Sequence, residues 1–104
     1  MTITVAQGAV DVWVRSTGRG YFDPLTNLGR LTEEVGELAR ILVRRSQLRP
    51  KPGDDISDEA LLGEFGDVLL VLFCLANQTG IDLERAVAGV LEKIRARDVG
   101  RHDR

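Results

Sequence analysis

The sequence predicts an all-α chain, a four-helix bundle, and three observations support that prediction. Apolar residues recur at helical spacing in four separate stretches. Proline, glycine and small polar residues punctuate the gaps between those stretches. No segment alternates with period two for long enough to suggest a strand.

Each helix has a legible start or stop. Thr4-Val5-Ala6-Gln7 reads as a capping box, and Ala6, Val10, Trp13, Val14 and Thr17 follow at helical spacing until Gly18 and Gly20. At that spacing Trp13 reads as a core residue, although Trp13, Tyr21 and Phe22 could also stack on a planar ring. Asp23-Pro24 opens the second helix, with a carboxylate cap and a proline whose missing N–H costs nothing there. Leu25, Leu28, Leu31, Val35, Leu38, Ile41 and Leu42 mark its apolar face, and the helix should stop before Pro50. Residues 48–56 form the main loop. Ser57, followed by Asp58 and Glu59, opens a third helix that should run to about Thr79 and end on Gly80 in a left-handed cap. Asp82 caps a fourth, whose apolar face is Leu83, Ala86, Val87, Val90, Leu91 and Ile94.

Composition narrows the class. The chain has 104 residues, enough for a single domain over 1–104, with 43% apolar and 29% charged residues. Fourteen basic against sixteen acidic residues leave a net charge of -2, which argues against stable nucleic-acid binding. Cys74 is the only cysteine and sits in an apolar run, so it reads as a small buried hydrophobe with no internal disulfide to make. That run spans 68–76, well short of the roughly 20 residues a membrane span needs. The N-terminus lacks a basic stretch followed by an apolar core, so a cytoplasmic protein is expected. The third helix is apolar nearly all round in its second half, which predicts burial at a subunit interface.

The chemistry-bearing residues are acidic. Glu33, Glu34 and Glu37 fall within one turn of the second helix, and Glu64 and Asp67 lie three apart on the third. Like charges this close destabilise a helix, and two such groups on neighbouring helices would cost more unless a divalent cation lay between them. Magnesium, a hard ion that takes oxygen ligands and keeps water and phosphates in its shell, is the natural candidate. A redox di-iron bundle would want Glu-x-x-His, and the only histidine is His102 in the tail. The bland alternative is a solvated acidic face. Lys93 and Arg97, four apart on the last helix, could meet a polyphosphate or could equally be a solvated face. Gly36, Gly63 and Gly66 beside the acids suggest close helix approach, substrate access or simple packing.

From about Gly20 to Arg104 the chain resembles the MazG-like, all-α nucleotide pyrophosphohydrolases, closest to their short single-domain bacterial branch. That family carries Glu-Glu-x-x-Glu on one helix and Glu-x-x-Asp on the next. Here the motifs stand as Glu33-Glu34-Val35-Gly36-Glu37 and Glu64-Phe65-Gly66-Asp67, continued by Leu75-Ala76-Asn77, Gly80-Ile81-Asp82-Leu83-Glu84 and the Lys93 to Arg97 spacing. The resemblance implies hydrolysis of a nucleoside triphosphate to monophosphate and pyrophosphate, with magnesium or manganese, clearing non-canonical or excess nucleotides. It implies Glu34, Glu37, Glu64 and Asp67 as metal ligands, with Glu33 and Glu34 helping to orient the attacking water. It further implies Lys93 and Arg97 on phosphates, Asn77 on the nucleotide, and a homo-oligomer, either a dimer or a dimer of dimers. Many members have another acid where this chain has Gly63, which speaks against a fully equipped additional metal position. Two rivals stand beside this reading: a phosphoribosyl-ATP pyrophosphohydrolase on the same fold, and a non-enzymatic helical scaffold.

Overall fold

Local cap chemistry sets three of the four helix starts where the sequence places them. The computed structural model describes residues 1–47 and 51–102, the last three of these by backbone alone. It contains α1 (Ile3–Ser16), α2 (Pro24–Arg45), α3 (Asp58–Thr79) and α4 (Leu83–His102), and no strand among the described residues. The Asp23 carboxylate accepts the Leu25 N–H at 3.1 Å ahead of Pro24. The Ser57 hydroxyl accepts the Ala60 N–H at 3.1 Å. The Asp82 carboxylate accepts the N–H groups of Glu84 and Arg85. Gly80, at φ 71°, closes α3 in the left-handed region, and the Ile81 N–H returns to the Ala76 carbonyl at 2.9 Å. Of the expected loop, residues 48–50 lie outside the described residues.

The start of α1 differs from the capping box read at Thr4. Thr2 is the cap, its hydroxyl accepting the Val5 N–H at 3.1 Å. Thr4 instead donates to the Glu84 carboxylate at 3.0 Å. Gln7 is buried and serves a tertiary purpose. Its side-chain amide donates to the Ile81 carbonyl at 2.7 Å and accepts the Leu83 N–H at 3.0 Å. Asn77 adds a bond of 3.1 Å to the Gln7 carbonyl. The turn between α3 and α4 leaves backbone groups without helical partners, and Gln7 satisfies one donor and one acceptor of that turn. Satisfying buried backbone outweighs a local cap that Thr2 can supply instead.

Helices α2 and α3 form an antiparallel hairpin. Asn27 donates to Gln78 at 2.9 Å at one end, and Arg45 meets Asp58 at 2.5 Å at the other. Asn27, 1% exposed, also accepts from Arg30 at 3.0 Å, so its amide is satisfied on both sides. Val71 at 2% exposure and Cys74 lie deepest along the hairpin, which bears out the reading of Cys74 as a buried hydrophobe. Helix α1 packs on α3, and α4 packs on α1 while standing off the hairpin. The radius of gyration is accordingly 17.5 Å, against about 13 Å for a compact chain of similar length.

Much apolar surface stays open. Leu28, Val35 and Leu42 recur every seven residues on α2, and Leu62 and Leu69 repeat that interval on α3; all are exposed. Val87, Val90, Leu91 and Ile94 are exposed along α4. The second half of α3 is largely covered within the chain by α1 and α2, with no residue exposed from Val71 to Gln78. A Cβ built at Gly36, Gly63 or Gly66 would meet no atom within 4 Å, so close helix approach is not what these glycines serve within the chain.

Removing the Gln7 amide tests the joint between α1, α3 and α4. Gln7→Ala should cost about 1–3 kcal/mol, because the Leu83 N–H and Ile81 carbonyl lose their partner in a partly buried place. Denaturant unfolding measures the loss. Hydrogen exchange should place it at the first turn of α4, with α2 unaffected.

Candidate functional site

Helical periodicity assembles the site. Arg30, Glu34, Glu37, Ile41 and Arg44 recur at three- and four-residue intervals along α2, and Ala60, Gly63, Glu64 and Asp67 do so along α3. Pairing the two helices antiparallel brings the acidic middles of both rows together. Glu34, Glu64 and Asp67 each offer a carboxylate oxygen, and these atoms all lie within 4.8 Å of one another. Glu37 borders the same cavity as Glu64 and Asp67, one turn along α2 from Glu34, and stands 3.8 Å from the Arg40 guanidinium.

Glu64 bears the electrostatic load. Burial pushes its carboxyl above the ordinary glutamate range, and the charges of Glu34, Asp67 and Glu37 push it further. Its Oε2 is sealed from solvent and has no hydrogen-bond partner. A buried acceptor left without a donor is costly, so the place asks for a positive group of small radius. No salt bridge among the described residues reaches Glu34, Glu64 or Asp67. An all-oxygen donor set, partly buried and open on one side, fits a hard divalent cation that retains part of its water shell.

Two cavities flank these carboxylates. One, of about 360 Å³, is bordered by Glu37, Glu64 and Asp67 and by the arginines Arg40 and Arg44. Arg44 is held by Asp54 at 2.6 Å, which fastens the loop before α3 to α2. Asp55 accepts the Ser57 N–H at 3.1 Å, and bonds from Ser57 hold the Asp55 carboxyl below the usual range. The other cavity, of about 440 Å³, lies where α1 meets the N-terminal end of α2. Trp13, Tyr21 and Phe22 line it with Asn27, Arg30 and Cys74. Trp13, read as core from its spacing, is 55% exposed, because α1 covers α3 through Val14 and leaves the indole at the cavity wall. Arg30 lies 5.0 Å above the Phe22 ring, and Gln78 donates to the Phe22 carbonyl.

The other residues singled out from the sequence fall in different places. Glu33 is exposed on α2, outside the convergent three. Lys93 and Arg97 are exposed on α4, which stands off the hairpin, so this chain alone does not bring them to the carboxylates. Asn77 uses its side-chain amide to tie α3 to α1. Arg40 and Arg44 were not singled out, although their spacing of three and seven residues from Glu37 puts them on the same face.

The fold is thus an all-helical hairpin that places carboxylates from both helices around one point, between an arginine-lined and an aromatic cavity. The chain belongs to the MazG family: the model of the MazG nucleotide pyrophosphohydrolase domain matches residues 22–102. The YpjD protein of Bacillus subtilis (strain 168) is 43% identical over 103 residues, covering 99% of this chain and 92% of its own length. YvdC of the same organism is 33% identical over 81 residues, covering 73% and 76%. The crystal structure of YPJD from Bacillus subtilis superposes with a TM-score of 0.79 at 43% identity, covering 89% of this chain and 94% of that one. A Bacillus-conserved MazG protein, described as a nucleotide pyrophosphohydrolase, superposes with a TM-score of 0.76 at 37% identity over 90% of each chain. Four helices, no strands among the described residues and the MazG fold agree with the class read from the sequence. No helix among the described residues is long and apolar enough to cross a membrane.

The wall of the aromatic cavity has its own pH signature. Tyr21 donates to Asp11 at 2.5 Å, and its phenol is pushed up to about 12, first by burial and then by that bond. A raised phenol pKa contributes stability that is whole below the unfolded value, about 10, and lost as pH climbs through the folded one. Tyr21 is the only tyrosine, so ultraviolet absorbance of tyrosinate reports it without ambiguity. Its midpoint should fall near 12 in the wild type, and Asp11→Asn should lower it.

Proposed function

We propose that the chain hydrolyses nucleoside triphosphates to nucleoside monophosphate and pyrophosphate with magnesium, manganese being able to replace it. The observation that carries this reading is the convergence of Glu34, Asp67 and the sealed, partnerless Oε2 of Glu64. Glu34, Glu64 and Asp67 would hold the ion, with Glu37 completing the set from the cavity edge. Bound there, magnesium would polarise the α-phosphate and make water more acidic. Glu34, within the cluster, would accept the proton of the attacking water, and Glu33 would help to orient that water from its exposed flank. The water oxygen joins the α-phosphorus, the α–β bridge breaks, and pyrophosphate leaves with the bonding pair. No covalent nucleophile is needed. The proposed setting is the cytoplasm, where such an activity removes non-canonical or surplus nucleotides.

Pyrophosphate release from a panel of nucleoside triphosphates, with and without magnesium, tests the reaction. Adding phosphoribosyl-ATP to the panel separates the two enzymatic readings. Glu37→Gln and Asp67→Asn should each lower turnover by orders of magnitude while far-ultraviolet helix content stays constant. Near-normal release from either variant would remove the metal assignment.

We further propose a homo-oligomer. The chain exposes 7938 Å², against about 5,800 Å² for a compact monomer of its mass. The difference, about 2,100 Å², exceeds the roughly 800 Å² per partner that a stable interface buries. On α4 the exposed apolar residues Val87, Val90, Leu91 and Ile94 form one stripe, with Arg97 on one edge and Lys93 beyond it, and with Arg95 on the other edge and Glu92 beyond that. Packing that stripe on another copy would carry Lys93 and Arg97 to the neighbour's phosphates. Light scattering should therefore return at least twice 11.5 kDa. Co-refolding inactive Glu37→Gln with inactive Lys93→Ala should restore activity that neither has alone; an 11.5 kDa particle, or no restoration, would count against the shared site.

A further inference from the structure

One long side of α2 is uncharged and open to solvent. The side turned to α3 holds Asn27, Glu34 and Ile41. At about 100° per residue the opposite side holds Leu25, Gly29, Thr32, Gly36, Ala39 and Val43, all exposed. From Leu25 to Val43 this strip runs about 27 Å. Its middle is built of small residues, and a Cβ at Gly29 or Gly36 would meet no atom within 4 Å. One edge is apolar, with Leu28, Val35 and Leu42 exposed. The other edge carries two charges seven residues apart, Glu33 and Arg40, both exposed.

We infer that this side of α2 packs antiparallel on the same side of α2 in a second copy of the chain, about a two-fold axis between Gly36 and Ala39. The inference rests on the proposed homo-oligomer and gives it a contact separate from the α4 stripe. A two-fold axis makes every contact occur twice, so a surface that pairs with itself must carry its own complement. This edge does. With Gly36 across from the partner's Ala39, and Thr32 across from the partner's Val43, Glu33 stands within roughly 3 Å of helix rise of the partner's Arg40. The axis repeats the pair with Arg40 and the partner's Glu33. Both side chains are available: Glu33 has no salt bridge among the described residues, and Arg40 has only a 3.8 Å contact with Glu37 and is 60% exposed.

The charges also choose the alignment. Sliding one helix by seven residues keeps small residues in the middle but sets Glu33 against the partner's Glu33, which repels. A parallel pairing would lay both charges along the partner's apolar edge, where they are desolvated without a counter-charge. In the antiparallel alignment Val35 instead meets the partner's Leu42 on the apolar edge, and the small middle lets the backbones approach to about 8 Å. The surface in excess of a compact monomer, about 2,100 Å², leaves room for two contacts of roughly 800 Å² per partner. Pairing here braces α2 from behind. The carboxylate cluster lies on the opposite side, so each copy keeps its own site open.

Light scattering on stepwise variants tests the contact. Val90→Asp, at an exposed position in the α4 stripe, removes the other contact and should leave a particle of twice 11.5 kDa. Adding Gly36→Leu should bring it to 11.5 kDa. Leucine is the better helix former and has free space within the chain, so far-ultraviolet helix content should hold or rise. Adding Arg40→Glu in place of Gly36→Leu should also give the single chain, by facing Glu33 with a like charge. Glu33→Arg combined with Arg40→Glu, which exchanges the two charges, should return the pair. Failure of that exchange, or an unchanged mass in Gly36→Leu, would overturn the contact. If the wild type assembles but Val90→Asp alone falls to 11.5 kDa, the contact through α2 fails and the homo-oligomer stands through α4. A wild-type mass of 11.5 kDa would remove both.

Discussion

Repulsion among carboxylates at the centre of a helix hairpin is the constraint on which the rest of the structure depends. Glu34, Glu64 and Asp67 meet across α2 and α3 without a protein cation paired to them among the described residues. Left to these charges alone, the helices would part. They are held from the ends: Asn27 and Gln78 tie one, and Arg44–Asp54 and Arg45–Asp58 tie the other. Between centre and tied end, Val71 and Cys74 supply the apolar contact. Stability is thus placed around the acidic centre, which is where a site specialised for a ligand ordinarily gives stability up.

The aromatic and arginine-lined cavities follow from the same arrangement. Each opens where the helices meet a different neighbour, α1 on one side and the loop before α3 on the other. The acids therefore sit between two chemically unlike rooms. Each room has a positive-φ glycine in its wall, Gly20 at the aromatic one and Gly53 at the other. The positive-φ positions among the described residues are all glycines, and they lie in the connections.

The sequence made the helices legible because their ends are decided locally. Asp23-Pro24, Ser57, Gly80 and Asp82 each act within a few residues of themselves, and each acts in the structure as its chemistry suggests. Thr4 and Gln7 show where local reading stops. Their pattern is that of a capping box, but a turn about 75 residues later in the chain needed partners, and nothing near Gln7 records that need. The acidic row was legible because helical spacing puts Glu34 with Glu37 and Glu64 with Asp67 on single faces. Arg40 and Arg44 share that spacing but carry no signal of their own, since surface arginines at three- and four-residue intervals are common on any helix. Trp13 was read as core because periodicity reports a face and not what covers it. Lys93 and Arg97 mark the same limit, since position on α4 says nothing of which chain α4 lies against.

The joint at Gln7 also acts as a pivot. Helix α4 leaves it as a rod of 20 residues, roughly 30 Å long, so a swing of about 10° at the joint moves the far tip by about 5 Å. Lys93 and Arg97 ride in the outer half of that rod, and a displacement of this size exceeds the length of a hydrogen bond. The mechanical accuracy of that arm is set by a few side chains at its base, Gln7 with Asn77 and the Thr4–Glu84 bond. Sequence change near Gln7 and Gly80, distant from the Glu34–Glu64–Asp67 cluster, would therefore act as an aiming error on α4.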